Sequence, residues 1–312
     1  MTSISESAVP IGAPLLNPRL DAMLRGSVPQ TLFRLAAPNT LVMCAQAATS
    51  LIQTWFLAKL STDVLAGVGV VIPLLMLMQN MSQGAMGGGI SSAVARALGT
   101  GSPTHANDLV RHALAINILL GLIFSGSIWF FSPYLYPLLE ASGPSLTAAL
   151  EYSDVTCIGI ALLWVMNACA SVIRGTGNMR VPGCVILGGF IILIPMTPCL
   201  IFGYGPVSVL GVAGAAWALA IYYLIGTTLL GWFCFSGKSI VNFTAGKLRW
   251  QPIKNILAVG AVACVNAFLT NTIIAVTGAI VGAYAGTAVL AGYATSAMGR
   301  ILIRHGKPIY NL

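Results

Sequence analysis

The stretch that decides the fold is short and occurs twice. Residues 62–67 read TDVLAG and residues 287–292 read TAVLAG, so five of six residues recur in the same order. Each copy stands at the entry to a long apolar run. We interpret the two copies as the same point in two successive versions of one structural unit.

The composition indicates a membrane protein. Hydrophobic residues make up 57% of the chain and charged residues only 7%, whereas soluble domains carry roughly 25% charged residues. So few charges cannot cover a surface that faces water. The first 30 residues lack the short apolar core and cleavage site of a signal peptide, so we expect the first span to direct insertion itself.

The apolar runs predict membrane-spanning helices. A helix needs roughly 20 apolar residues to cross a bilayer, and these runs show no period of two that would indicate strands. The six complete spans that we predict are 33–58, 64–95, 109–133, 146–173, 181–203 and 210–236. A seventh span is predicted at 255–281 and the start of an eighth at 285–303.

The positive charges predict the orientation. With the N-terminus in the cytoplasm, fourteen of the 15 Lys and Arg residues fall on the cytoplasmic side, and only Lys59 falls outside. This distribution follows the positive-inside rule. The net charge of +8 is therefore read as an orientation signal for a plasma (inner) membrane protein, not as a nucleic-acid surface.

An even number of spans returns the chain to its starting side. A second unit that begins there has the same orientation as the first, so the two would be parallel repeats. The predicted division is a cytoplasmic segment 1–32, a six-span lobe 33–236, an inter-lobe loop 237–254, the start of a second lobe 255–303, and a tail 304–312.

Several classes of site are not indicated. The seven cysteines stand singly inside apolar runs, with no paired Cys or nearby His, so neither a disulfide framework nor a metal site is predicted. No Ser/His/Asp set is visible either. We therefore expect no enzyme, no cofactor and no bound metal.

Polar side chains in the first span form a stripe. Gln46, Thr49, Ser50 and Gln53 are spaced for one helical face. Because polar groups in lipid need partners or water, this face is expected to line a cavity or to make interhelical hydrogen bonds. We take Gln46, Thr49 and Gln53 as candidate transport residues.

The second span contains QNMSQGAMGGGISS at 79–92. Its glycines favour close approach between helices. Asn80 and Gln83 are placed on one face and are further candidates for cavity lining.

Pro38, at the start of span 1, is the candidate position for a bend, because proline removes a helix hydrogen bond.

These residues and motifs carry a family resemblance. LAAP at 35–38, QTWFLAKLSTDVLAGVGVVIP at 53–73, SSAVARALGTG at 91–101, NACASVIRGTGNMRVP at 167–182 and GVAGAAWALA at 211–220 resemble the multidrug and toxic compound extrusion (MATE) transporters. The resemblance implies an all-α integral membrane fold with two six-helix lobes. It also implies efflux of organic, cationic or amphiphilic compounds through a cleft between the lobes, driven by a proton or sodium gradient.

The resemblance marks two further positions. Family members often carry an acidic residue where this chain has Gln53, and some carry an Asp where it has Thr197 in LIPMTP. Gln cannot titrate, and no Asp or Glu occurs after Asp154. We keep Thr197 as a candidate cavity residue.

Glu151 and Asp154 remain candidate outer carboxylates, which either attract cations or mark the water interface.

The alternatives to efflux are weaker but stay open. Flipping of a lipid or polysaccharide precursor would favour a cationic cleft, and an intramembrane enzyme would need paired acids or a His/Asp motif. Family members usually continue with a long apolar run, but here the tail reads ATSAMGRILIRHGKPIYNL. We therefore expect a truncation or a lost reading frame near residue 298, which makes a non-functional remnant the main alternative.

Overall fold

The computed structural model describes residues 28–139, 141–203, 208–237, 239–241, 243, 246 and 249–273. All regular secondary structure among these residues is helical. The helices are α1 (Val28–Ala58), α2 (Thr62–Gln79), a π-helical segment (Asn80–Met86), α3 (Gly87–Gly99), α4 (Pro103–Leu138), α5 (Gly143–Gly175), α6 (Arg180–Phe202), α7 (Gly211–Phe235) and α8 (Trp250–Ile273).

The number of spans agrees with the sequence prediction. Helix α2, the π segment and α3 form one apolar stretch, Thr62–Gly99, so the described residues contain seven helices that are long and apolar enough to cross a membrane. Helix α8 begins at Trp250, inside the segment that was predicted to be a loop. The repeated stretch 287–292, the eighth span at 285–303 and the tail lie outside the described residues.

Local chemistry explains where the spans start. Before α2, the Ser61 hydroxyl accepts a hydrogen bond from the Val64 N–H at 3.1 Å, and Asp63 lies in the first turn. Both features stabilise the N-terminal end of a helix. Pro103 opens α4 in the first turn, where a missing N–H costs nothing.

Helix α5 is the centre of the bundle. In the most apolar part of α5, 78% of the residues are buried, against 11–33% in the corresponding part of the other six spans. The outer faces carry large apolar side chains such as Trp129, Phe130 and Phe131 on α4, each more than half exposed. This arrangement, with apolar groups outside, is expected when the solvent is lipid.

Helix α8 packs against the six-span bundle at a glycine contact. A Cβ added at Gly89 of α3 would lie 2.9 Å from the Ile256 carbonyl oxygen and 3.0 Å from the Gly260 nitrogen. Only glycine permits this approach of two backbones. Gly88, the preceding residue, faces open space, whereas a Cβ added at Gly87 would lie 2.6 Å from the Ser171 hydroxyl oxygen of α5. The glycine run at 87–89 therefore packs against α5 at Gly87 and against α8 at Gly89.

The segment between α7 and α8, called here the inter-lobe segment (237–249), is bonded to α4. His112 is fully buried, and its Nε2 accepts a hydrogen bond from the backbone N–H of Arg249 at 2.7 Å. Its Nδ1 lies 2.6 Å from the Asp108 carbonyl oxygen. Since Nε2 accepts, the ring proton is on Nδ1 and is donated to Asp108.

Further contacts strengthen the same junction. Arg111 forms an ion pair with Asp108 at 3.0 Å. A Cβ added at Gly246 would collide with the Arg111 guanidinium, so the inter-lobe segment lies directly on this side chain. Val241 is 1% exposed and belongs to the hydrophobic core. The described part of the inter-lobe segment is therefore a docked element of the first lobe.

Candidate functional site

A cavity of about 150 Å³ lies inside the six-span bundle. Side chains of α1, α2, the π segment, α5, α6 and α7 line it. On α1 the lining extends from Val42 to Leu57, a length of about 22 Å at 1.5 Å per residue. The cavity therefore occupies the first lobe itself.

The polar stripe of α1 forms one wall. Gln46, Thr49, Ser50 and Gln53 all line the cavity. The Thr49 hydroxyl donates to the Ala45 carbonyl oxygen at 2.8 Å, so its proton is used within the helix. The Nε2 of Gln53 is buried and has no hydrogen-bond partner among the described residues, which leaves an amide donor at the cavity wall.

The π segment contributes one side chain to the cavity lining. Gln83 lines the cavity, whereas Asn80 is exposed and does not. Within the same segment, the buried Ser82 hydroxyl accepts a hydrogen bond from Asn167 Nδ2 at 3.1 Å. Isolated π turns are common at functional sites. Here the turn is fixed to the central helix α5 by a bond between two buried side chains.

Aromatic rings form another wall. The rings of Phe190 on α6 and Tyr222 on α7 are stacked, with centroids 5.2 Å apart and an interplanar angle of 18°. Tyr223 and Tyr152 also line the cavity. A Cβ at Gly189 would collide with the Tyr222 ring, so this glycine makes room for the stack. The aromatic character of this wall suits a flat or cationic group.

The lining carries no formal charge. It contains four glutamines, one asparagine, hydroxyl groups, thioethers and apolar side chains, but no Asp, Glu, Lys, Arg or His. Among the described residues, no group of three or more His, Cys, Asp or Glu is placed to hold a metal ion. Chemically, the cavity can bind through hydrogen bonds and aromatic contacts.

Three other predicted site residues do not line this cavity. Thr197 is fully buried on α6, and its hydroxyl donates to the Leu193 carbonyl oxygen at 2.8 Å. Glu151 and Asp154 are exposed near the start of α5. Helix α1 continues through position 38, but the side chain of Pro38 lies outside the described residues, so the bend there stays a prediction.

Sequence reasoning missed two parts of the cavity. Asn167 carried a usable signal, because it is an amide in the middle of an apolar span, and such groups must find a partner or face water. The aromatic wall carried no comparable signal. Phe190 and Tyr222 come from different helices and read as ordinary lipid-facing or core residues until the helices are packed.

Comparison with known proteins finds relatives whose names refer to transport or to multidrug resistance. The chain is 27% identical over 259 residues to an FAD transporter of Shewanella oneidensis, covering 81% of this chain and 57% of the relative. It is 27% identical over 259 residues to a probable multidrug resistance protein NorM of Acinetobacter baylyi, covering 80% and 56%. The chain thus spans little more than half the length of these relatives.

Solved structures share the fold. A MATE protein in the bent conformation superposes with a TM-score of 0.83 at 22% identity, over 92% of this chain and 63% of that chain. A MOP superfamily transporter from Pyrococcus furiosus gives a TM-score of 0.82 at 22% identity, over 90% and 62%. These matches confirm the all-helical membrane fold of one six-span lobe and the beginning of another.

The family follows from the sequence model that matches. The model described as MatE covers residues 38–199, just over half of this chain, and those residues include α2, the π segment, α3, α4 and α5 together with most of α1 and α6. The names of the relatives refer to FAD transport and to multidrug resistance. This chain is a multi-pass membrane protein that belongs to the MatE family.

Proposed function

We propose that this chain supplies the first lobe of an ion-coupled antiporter that exports small organic compounds. The observation that carries the proposal is the uncharged cavity enclosed by five of the six spans of the lobe. A cavity at this depth, lined by amides and rings, suits a cargo that crosses the membrane without being chemically changed. The names of the relatives, which refer to FAD and to multidrug resistance, support an organic cargo.

The aromatic wall supports cargo that is flat and either cationic or amphiphilic. Aromatic rings attract cations through the ring quadrupole without a charged residue, and four aromatic side chains line this cavity. The amides of Gln46, Gln53 and Gln83 supply donors and acceptors that can adapt to different ligands. A neutral, adaptable lining of this kind fits a transporter that accepts several related compounds.

Sodium fits the lining of this lobe better than a proton does. Amide and hydroxyl oxygens can coordinate a hard cation, but they do not take up a proton in the physiological range. A proton-coupled cycle would need an acid outside the cavity lining. We therefore propose sodium as the coupling ion that this lobe can bind, with the gradient maintained across the plasma (inner) membrane.

The orientation also belongs to the proposal. The described cations at helix ends support it, because Arg96, Arg174, Arg180 and Lys254 lie at the loops that the positive-inside rule assigns to the cytoplasm. Lys59 follows the C-terminal end of α1, which the same rule assigns to the outer side of the membrane. The N-terminus would then be cytoplasmic, and export would run toward the side of Lys59.

Cells that lack their own efflux pumps provide the test. The chain is expressed in such cells, and the retention of a fluorescent organic cation is measured with and without a sodium gradient. We expect retention to fall on expression and to rise again with Gln53→Leu. The same change at Gln251, an exposed residue of α8, is the matched control and should leave retention unchanged. Retention that matches the empty vector, despite membrane insertion of the chain, would refute export by this chain.

A further inference from the structure

A second cavity lies at the end of the bundle where the positive charges collect. Its volume is about 420 Å³, and it is formed where the end of α3, the start of α4 and the start of α8 meet. The central cavity has no lining residue from any of these three helices. The second cavity is therefore a separate site.

The floor of this cavity is apolar and its rim is polar. Ala93, Ala97 and Leu109 form the floor and are at most 4% exposed. Arg96, Thr100, His105 and Asn255 also line it, and of these only Asn255 is partly buried while the others are exposed. The cavity thus offers hydrogen-bond donors at its mouth and apolar surface below them.

The donors on the rim are available. The side chains of Arg96, His105 and Asn255 make no hydrogen bond or ion pair within the part of the chain that the structure describes. No Asp or Glu lines the cavity, so the Arg96 charge has no counter-ion there. The Thr100 hydroxyl donates to the Ala97 carbonyl oxygen at 3.0 Å and is left as an acceptor.

The neighbouring charges have the same sign. Lys254 stands next to Asn255 and is exposed. The first turn of α4, which follows Ser102 without a side-chain cap, adds the partial positive charge of a helix N-terminus. The nearest acid along α4, Asp108, is already paired with Arg111. The local field therefore favours an anion.

We propose that this cavity binds the phosphate group of an anionic phospholipid from the cation-rich leaflet. Arg96 and Asn255 would donate to the phosphate oxygens, and the apolar floor would receive the glycerol and the first carbons of an acyl chain. Basic pockets between membrane helices on the cytoplasmic side are suited to such head groups. Because α8 contributes Asn255, a bound lipid would join the first lobe to the helix that follows it.

Native mass spectrometry of the detergent-solubilised chain tests the proposal. Phosphatidylglycerol and phosphatidylcholine are titrated separately, and the lipid retained per chain is counted. We expect phosphatidylglycerol to bind more tightly than phosphatidylcholine. Arg96→Gln should weaken phosphatidylglycerol binding about tenfold, since a charge-assisted bond is lost. Arg96→Lys should restore most of the binding.

The matched control is Arg180→Gln, which removes one exposed charge at the same end of the bundle but outside the cavity. It should leave binding within about twofold of the parent chain. Binding of inorganic phosphate at millimolar concentration, together with no preference for phosphatidylglycerol over phosphatidylcholine, would identify a free phosphate as the ligand and would refute the lipid. Equal loss of phosphatidylglycerol from Arg96→Gln and Arg180→Gln would show general charge attraction and would refute the site.

Discussion

Two buried polar groups in this molecule differ in whether they have hydrogen-bond partners. His112, at the junction of α4 and the inter-lobe segment, uses both ring nitrogens in bonds of 2.6 and 2.7 Å. Gln53, in the cavity wall, has a buried amide nitrogen with no partner among the described residues. A polar group whose hydrogen bonds are all formed stabilises the fold. A polar group without a partner at a cavity wall is available to bind a ligand.

The largest expected effect comes from removing the two hydrogen bonds of His112. His112→Phe fills the same space but removes both bonds, leaving the Arg249 N–H and the Asp108 carbonyl oxygen without their partner. We expect the free energy of unfolding to fall by about 3 kcal/mol, measured by denaturant titration in detergent. The same change at the exposed His105 should cost under about 0.5 kcal/mol. Equal effects at the two positions would mean that the junction is not a fixed element.

The contact between α3 and α8 gives the next effect. Gly89→Ala places a Cβ against the backbone of Ile256 and Gly260 and should cost about 1–2 kcal/mol through overpacking. Gly88→Ala enters open space and should stabilise the helix by up to about 1 kcal/mol. The measurement is the unfolding midpoint of each variant. Two changes of the same sign would show that α8 is not packed at Gly89.

The hydrogen bond between Ser82 of the π segment and Asn167 of α5 should contribute less to the free energy of unfolding. Asn167→Ala and Ser82→Ala each break it, so a double-mutant cycle isolates the pair. We expect a coupling energy of about 1 kcal/mol in unfolding. Efflux should fall in either single variant because Gln83 loses its fixed position, and in Asn167→Ala the cavity also loses an amide of its own lining. A coupling near zero would indicate that the bond does not hold the π segment in place.

Replacing Gln53 tests whether an amide without a hydrogen-bond partner contributes to stability. Gln53→Leu removes an amide that makes no bond within the described residues, so the free energy of unfolding should change by under about 0.5 kcal/mol while efflux falls. Thr197→Val is the contrasting variant, since its hydroxyl is bonded inside α6. It should cost about 1 kcal/mol of stability and leave efflux intact. A loss of stability at Gln53 would place this amide among the structural groups.

The smallest effect is expected at the outer carboxylates. Glu151 and Asp154 are exposed and lie outside the cavity lining. The double change Glu151→Gln and Asp154→Asn should alter stability by under about 0.5 kcal/mol and leave efflux unchanged, as measured by dye retention. A clear loss of efflux would instead assign cation attraction to this pair.

The sequence predicted the spans and the common face of the polar stripe on α1, because both depend on regular helix geometry. The runs of apolar residues are long, and the spacing of Gln46, Thr49 and Gln53 is a direct consequence of 3.6 residues per turn. The same rule placed Asn80 and Gln83 on one face. In the structure they point differently, because the π segment has wider turns and three residues no longer bring the chain back to the same side.

What the sequence could not predict depends on contacts between distant elements. The aromatic wall requires α6 and α7 to be packed before Phe190 can meet Tyr222. The junction at His112 uses a backbone N–H, which every residue except proline provides, so nothing at position 249 marks it. Thr197 was chosen by correspondence with the family, and its bond to Leu193 becomes visible only in the folded helix.

The neutral lining of the central cavity has an electrical consequence. Since no residue of the lining carries a charge, an empty first lobe moves no charge of its own through the membrane field at this site. A singly charged cargo or a sodium ion would then bring the whole charge with it, and each such charge is worth about 2.3 kcal/mol for every 100 mV crossed. The membrane voltage would therefore act on what the lobe carries, and the exchange ratio of ion and cargo would decide whether export is driven or opposed by it.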